Sequence, residues 1–291
     1  MRALVTGGAG FIGVNLVNRL VEDGHEVIVF DNLSTGNKKN INEKAKFFLI
    51  DISHNDYFED KKMDDIMNSV DVIFHLAALP RIGPSFKNPK EVCDVNVGGT
   101  QNILDLAREY EIPVIYAGSS SFWGGVYKNP YTFSKWQGEE LCKMYEQIYG
   151  LNVTICRFYN VYGDFMSTEG EYKLALSIFL EQYKNGEPLT ITGDGNQRRD
   201  FTHVDDIVDA MVKVVQLNKW GSVYELGRGK NHSIKEVVLM ISKFSRGDVS
   251  WTYIPKIKGE VRETLCRSEL ARKKLKWKPK INLEDWIKEQ L

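Results

Sequence analysis

The chain has 291 residues, with 38 Lys and Arg against 39 Asp and Glu, for a formal net charge of -1. Hydrophobic residues make up 43% and charged residues 26%, a balance that excludes a disordered chain and, at about 150 residues per domain, leaves room for one large domain or two. The near-neutral charge gives no excess to grip a nucleic-acid backbone, and no run of about 18 apolar residues marks a membrane span, so neither nucleic acid nor membrane is expected as a partner.

The N-terminus lacks the basic segment and unbroken apolar stretch of a secretory leader. Cys93, Cys142, Cys156 and Cys266 form no CxxC pair and stand at no zinc-ligand spacing to His. Reduced thiols in a cytoplasmic protein, with no metal site, are the expectation.

Arg2 to Thr6 reads as a short buried strand running into Gly7-Gly8-Ala9-Gly10-Phe11-Ile12-Gly13, then into apolar positions at helical spacing up to Leu20. Asp23-Gly24 breaks that helix, and Val27 to Phe30 is a second apolar strand ending at Asp31. Gly7, Gly10 and Gly13 therefore lie between a strand and a helix, with an acid closing the next strand, which is the dinucleotide-binding arrangement. The first glycine allows the tight turn, the second admits the pyrophosphate to the backbone, and the third lets helix and strand pack closely. The helix N-terminus adds free N–H groups and partial positive charge. The Asp31 carboxylate can accept from ribose hydroxyls and would repel a 2′-phosphate, so NAD is favoured over NADP.

The alternation continues with a strand at Phe47 to Ile50 ending at Asp51, and another at Val70 to Leu76 followed by Ala77-Ala78. A helix is predicted over Val95 to Tyr110, a strand over Pro113 to Ala117, a long helix over Tyr131 to Tyr149 and a strand over Val153 to Phe158. Strands and helices in this rhythm predict the α/β class, a Rossmann doubly wound parallel sheet with ligands at the carboxyl ends of the strands. Gly124-Gly125 and Gly193-Asp194-Gly195 read as tight loops.

Ser119 follows the Pro113 strand, and Tyr131 and Lys135 stand four apart on one face of the next helix. An ammonium beside a phenol favours the phenolate, and a phenol so placed can take a proton from a substrate hydroxyl while a nicotinamide accepts the electrons. Ser119 would hydrogen-bond the same oxygen. His75 reads as a strand-end residue with no part in the chemistry.

With these pieces in order, the chain resembles an extended short-chain dehydrogenase/reductase of the NAD-dependent nucleotide-sugar epimerase/dehydratase family, of UDP-glucose 4-epimerase type. The matching segments are Thr6 to Gly13, Asp31-Asn32-Leu33-Ser34-Thr35-Gly36, His75-Leu76-Ala77-Ala78, Asn96 to Thr100, and Tyr131 with Lys135. Further matches are Arg157 to Gly163, Gly193-Asp194-Gly195, Arg199-Asp200-Phe201 and Val204-Asp205-Asp206.

The resemblance implies residue roles. Gly7, Gly10, Phe11, Ile12 and Gly13 would hold the pyrophosphate; Asp31 and Asn32, with Ser34, Thr35 and Gly36, the adenosine ribose side; Asp51 and Ile52 the adenine. Leu76, Ala77, Ala78 and Asn96 would line the path to nicotinamide, with Tyr131, Lys135 and Tyr159 beside it. Arg81, Ser85, Ser119, Ser121, Asn160, Arg199 and Arg262 would face a nucleotide-sugar, with Asn160 and Arg199 on its diphosphate. It further implies an NAD-binding domain over residues 1–160 and a smaller C-terminal α/β nucleotide-sugar domain over most of 161–291, with about 200–215 returning to the first. A homodimer through the helices at 95–110 and 131–149 is implied too.

Within the family, 4,6-dehydratases carry an Asp-Glu pair after the catalytic serine, and UDP-glucuronate decarboxylases a Glu at the second position. This chain has Ser120 and Ser121 there, neither a proton donor near neutral pH, which leaves 4-epimerisation of a UDP-sugar through a transient 4-keto sugar, with NAD tightly bound and regenerated each turnover. The alternatives are a decarboxylase or other nucleotide-sugar C4 oxidoreductase, and a catalytically silent NAD-binding regulator. Four departures bear on the sugar. Only eleven residues separate Ser119 from Tyr131, Trp123 replaces a Tyr, Arg81 stands where a small Ser is common, and the usual Arg-x-Gly-Glu element reads Ile257-Lys258-Gly259-Glu260 with Lys256 and Arg262 beside it. Thr264 aligns with the position that governs room for an N-acetyl group.

Overall fold

Arg2–Thr6 (β1) holds Ala3, Leu4 and Val5 fully buried in succession, the run expected of an interior parallel strand covered on both faces. The computed structural model describes residues 1–54, 61–167, 170, 173–256 and 259–291. After β1 come α1 Phe11–Glu22, β2 Glu26–Asp31, β3 Lys46–Leu49, α2 Lys61–Met67, β4 Val72–His75, α3 Ile82–Lys87, α4 Pro89–Cys93, α5 Gly99–Glu109, β5 Val114–Ser119, α6 Pro130–Tyr149 and β6 Val153–Phe158. The chain continues through β7 Val161–Tyr162, α7 Ala175–Lys184, β8 Leu189–Thr192, β9 Arg198–Asp200, β10 Thr202–His203, α8 Val204–Gln216 and β11 Val223–Leu226. It closes with β12 Asn231–Ser233, α9 Ile234–Phe244, β13 Trp251–Ile254, α10 Leu270–Leu275 and α11 Leu283–Gln290.

Seven strands form one parallel sheet in the order β11-β6-β5-β4-β1-β2-β3. The chain winds outward from β1 to β3, then restarts at β4 on the other side of β1, so the order reverses between β1 and β4. A crevice opens at the carboxyl ends of the strands at such a switch point. One face of the sheet is covered by α1 and α8, with Leu275 and Trp277 in the same core; the other is covered by α2, α5 and α6. A third apolar cluster, away from the sheet, gathers α7, α9, α11 and β8. The α/β class and doubly wound parallel sheet expected from the alternation are what is found.

Two elements differ from the sequence reading. The helix expected to begin at Val95 is continuous from Pro89, interrupted by a π turn over Asp94–Gly98. Such single-turn insertions leave a side chain pointing where a regular helix would not aim it, and here that side chain is Asn96. β11 was not foreseen, because Val-Tyr-Glu-Leu puts an acid in the middle of a buried strand. Its Glu225 is in register with Arg157 on β6, and the two form an ion pair.

Start and stop signals for α6 are local. Asn129 caps it by accepting from Thr132 N at 2.8 Å, Pro130 occupies the first turn, and Gly150 ends it at φ 70. Among the described residues, no helix is long and apolar enough to cross a membrane, no cluster of His, Cys, Asp and Glu could hold a metal ion, and all four cysteines are free thiols.

Candidate active site

The glycine turn after β1 is set by close backbone approach. Gly7 has φ +72, and a Cβ there would come within 2.6 Å of Ala77 N. A Cβ on Gly13 would collide with the Gly7 carbonyl oxygen. α1 begins at Gly10 with no side-chain cap and no acid in its first turn, so its leading N–H groups face the crevice unclaimed by side chains. Gly36 lies so close to Ala9 that a Cβ would meet the Ala9 backbone at 2.8 Å, and Asn37 N donates to Ala9 O at 3.0 Å. The Asp31–Gly36 segment is thereby folded onto the glycine turn, with Ser34 and Thr35 exposed on it.

Asp31 itself is buried and accepts from Ala9 N at 2.9 Å and Leu33 N at 2.7 Å; burial raises its pKa and these bonds oppose the rise. Two bonds leave a carboxylate with acceptor capacity in hand. Asn32 donates to Asp51 at 2.8 Å, and Asp51 also accepts from Ser53. Gly99 packs against Ile52, whose carbonyl is held by Asn102 at 2.8 Å. A cleft of about 830 Å³ opens beside Asp51, bounded by Ser53, Pro89 and Gly98. His75 bridges Thr6 at 2.7 Å and Thr100 at 3.0 Å, and burial, followed by the Lys135 charge, pushes its pKa down to about 3, so it is a neutral core group.

Ser119 and Tyr131 meet at the end of β5, with Lys135 one turn further along α6. The Tyr131 hydroxyl donates to Ser119 Oγ at 3.5 Å, and Ser119 Oγ donates to Ser121 Oγ at 2.9 Å. The Lys135 ammonium sits 4.2 Å from the centre of the Tyr116 ring, and burial pushes its pKa down to about 8 against the opposing charge of Glu139. Helical spacing predicted Lys135 as the cation acting on the Tyr131 phenol. Instead, burial raises the Tyr131 pKa, and the groups opposing that rise are the Ser119 hydrogen bond and the charge of Arg81. Asn96, on the π turn, accepts from Leu79 N at 2.7 Å and donates to Leu79 O and to Ser134 Oγ. Its amide thus clamps the loop after β4 to the helix that carries Tyr131.

Behind this wall lies a buried charge network that the motifs did not disclose. Arg157 donates to Glu139 through Nε and Nη2, the shortest bond being 2.6 Å, and reaches Glu225 at 3.4 Å. Glu225 also accepts from the Trp123 indole at 2.7 Å and the Tyr159 hydroxyl at 3.3 Å. The Phe122 ring packs on the Arg157 guanidinium at 3.9 Å. Glu139 stands one turn after Lys135, the only sequence clue to its place.

The expected substrate-side residues are dispersed. Asn160, at φ 29, donates to Thr264 Oγ1 at 2.7 Å and to Asp200 O. Arg199 is paired with Glu260 at 2.7 Å, and Arg262 with Asp194 at 3.5 Å. Glu260 and Arg262 line a cavity of about 240 Å³ with Thr192, Gly193 and Lys256. Ser85 is not brought to the site surface: it is fully buried, and its hydroxyl donates to Ile82 O at 2.7 Å within its own helix. Ile257 and Lys258 lie outside the described residues. Asp200, which sequence reasoning left without a role, accepts from Arg228 N, Gly229 N and Cys266 N, and so fixes the loops below Asn160.

Residues 3–227 match the NAD dependent epimerase/dehydratase family. The chain belongs to that family. It is 38% identical to a putative UDP-glucose 4-epimerase of Methanocaldococcus jannaschii over 305 residues, covering 98% of this chain and 95% of the relative. The solved UDP-glucose 4-epimerase of Thermotoga maritima with UDP-glucose superposes with a TM-score of 0.90 at 30% identity, covering 99% of this chain and 96% of that one. The UDP-glucuronic acid 4-epimerase of Bacillus cereus, solved with UDP-glucuronic acid and NAD, gives a TM-score of 0.90 at 26% identity, covering 100% and 98%. As a family member the protein is an NAD-dependent enzyme. The glycine cradle, the uncapped N-terminus of α1 and the spare acceptor capacity of Asp31 fit that cofactor.

Proposed function

We propose that this enzyme interconverts a UDP-sugar and its C4 epimer, with Tyr131 as the base that takes the C4 hydroxyl proton and the acid that returns it. The observation that carries this reading is the Tyr131–Ser119–Ser121 chain of hydroxyls, at 3.5 and 2.9 Å, ending with no carboxylate at Ser120 or Ser121. Water elimination would need a second acid–base pair at that place. One proton acceptor suffices for epimerisation, because the proton removed at C4 is the proton put back.

Gly7, Gly10, Gly13 and the α1 N-terminus would hold the NAD pyrophosphate, Asp31 and Asn32 the adenosine ribose, and Asp51 and Ile52 the adenine. Leu76, Ala77, Ala78 and Tyr159 would bound the nicotinamide. When bound, NAD supplies the two-electron oxidation and re-reduction at C4. Ser119 orients the reacting oxygen, while Lys135, one turn further along α6, would stand beside the nicotinamide. Asn160 and Arg199 would meet the diphosphate, which requires Arg199 to share its charge with Glu260 and the substrate.

We further assign residues 1–160 to the NAD side and most of 161–291 to the sugar-nucleotide side, with α8 and β11 serving the first. A cytoplasmic homodimer through α5 and α6 completes the reading, and light scattering on purified protein tests the dimer. Incubating the protein with UDP-glucose, UDP-N-acetylglucosamine and UDP-glucuronate and following C4 configuration by NMR tests the reaction: one C4 epimer is expected, and none from any of the three overturns it.

A further inference from the structure

Arg81 immediately precedes α3 at φ 95 and ψ 135, in the left-handed half of backbone space that a side chain enters at a cost of about 1–3 kcal/mol. α3 packs against α6, the helix of Tyr131 and Lys135. Arg81 follows the loop whose Leu79 is tied through Asn96 to Ser134, one turn from Tyr131 on α6, and its positive charge opposes the rise that burial imposes on the Tyr131 pKa. Among the described residues this partly buried cation donates no hydrogen bond and makes no ion pair. Glu139 on α6, Glu225 on β11 and Glu260 next to Gly259 are committed elsewhere, the first two to Arg157 and the third to Arg199.

Gly259 and Val261 pack beside α3 and the loop after β5. A Cβ on Gly259 would come within 3.1 Å of the Phe86 ring, and Gly124 abuts Val261. Desolvating a guanidinium without a counter-charge is unfavourable by several kcal/mol, and a planar fork of donors suits a carboxylate. Arg199 and Arg262 already face Glu260 and Asp194. In a hexose whose C4 oxygen meets Tyr131, the substituent on C5 is the adjacent group.

We propose that Arg81 is the receptor for a carboxylate on C5 of the sugar, so that the preferred substrate is a UDP-hexuronate; this rests on the epimerase reading above. The guanidinium supplies the counter-charge from the loop that Asn96 ties to α6 beside Tyr131.

The test compares UDP-glucuronate with UDP-glucose for holoenzyme carrying Arg81, Arg81→Ser, Arg81→Gln and Arg81→Lys, reading C4 epimer formation by NMR. The unaltered enzyme is expected to favour UDP-glucuronate. The ratio of kcat/KM values should fall roughly 100- to 1,000-fold in the Ser and Gln variants, mainly through KM for the acid, and partly recover with Lys. An unaltered enzyme that prefers UDP-glucose, or variants that slow both sugars equally, overturns the assignment. Titration calorimetry with the same two nucleotides reads the Arg81 contribution to binding independently of turnover. If no epimer forms yet UDP-glucuronate binds tighter than UDP-glucose only when Arg81 is present, the epimerase reading fails and the carboxylate receptor stands.

Discussion

On the Gly7–Gly13 side of the crevice, the groups offered to a ligand are backbone N–H donors, and their placement follows from Gly7 and Gly13, where a Cβ would collide with backbone. On the opposite side, the polar groups are side chains that already hold one another: Asn160 on Thr264, Arg199 on Glu260, Tyr159 on Glu225. A backbone cradle is complete once the turn forms, whereas the side-chain wall depends on partners far along the chain. The first wall tolerates little change and recognises one cofactor. The second can be retuned by exchanging a partner.

Tyr131→Phe should sharpen this contrast most. Turnover is expected to fall by about 10²–10⁴-fold in an NMR or coupled assay, while NAD content measured after denaturation stays at the unaltered level. Glu139→Ala leaves Arg157 with only the longer contact to Glu225 and should cost about 1.5–3 kcal/mol in denaturant unfolding. Because the Glu139 carboxylate raises the Lys135 pKa, a folded fraction of that variant should also lose activity at a lower pH on the alkaline side, where the ammonium sheds its proton. Gly13→Ala, which collides with the Gly7 carbonyl, should cost about 1–3 kcal/mol and release NAD, readable as loss of bound nucleotide on gel filtration.

A smaller effect is expected from His75, whose folded pKa of about 3 lies below its ordinary 6.5. The unfolded chain binds the extra proton first, so stability is present above 6.5 and is lost on acidification, by about 1.4 kcal/mol per pH unit between those values. His75→Asn should flatten that slope in urea unfolding at pH 4 to 7. Smallest is Trp123→Phe, which removes one hydrogen bond to Glu225 from a residue 63% exposed and should cost about 1 kcal/mol by thermal unfolding. If Trp123→Phe were to release NAD while Gly13→Ala did not, the contrast between the two walls would be reversed.

Much of the scaffold was legible in the sequence because its signals are local. Ala3-Leu4-Val5, Gly7 to Gly13 and Asp31 span one βα unit, and the Asn129-Pro130 start and Gly150 stop of α6 are read within a turn. The π turn at Asp94–Gly98 was missed because apolar periodicity on either side is that of an ordinary helix. β11 was missed because Glu225 argues against a buried strand until Arg157 is known to lie beside it. Ser85 illustrates the opposite failure, since a polar residue near a site motif faces inward when its own helix supplies the acceptor.

The amino-acid sequence by itself determined the parallel sheet, the dinucleotide turn and the presence of Ser119, Tyr131 and Lys135 at the carboxyl end of the sheet, since strand burial, glycine conformations and helix faces are decided by neighbours within a few residues. Only the tertiary structure decided which charge meets which. Arg157 joins Glu139 and Glu225 across two separate crossovers, Lys135 turns to Tyr116, and Arg81 is the cation whose charge bears on Tyr131. Electrostatic interactions depend on distance and desolvation, and both are set by how remote segments pack.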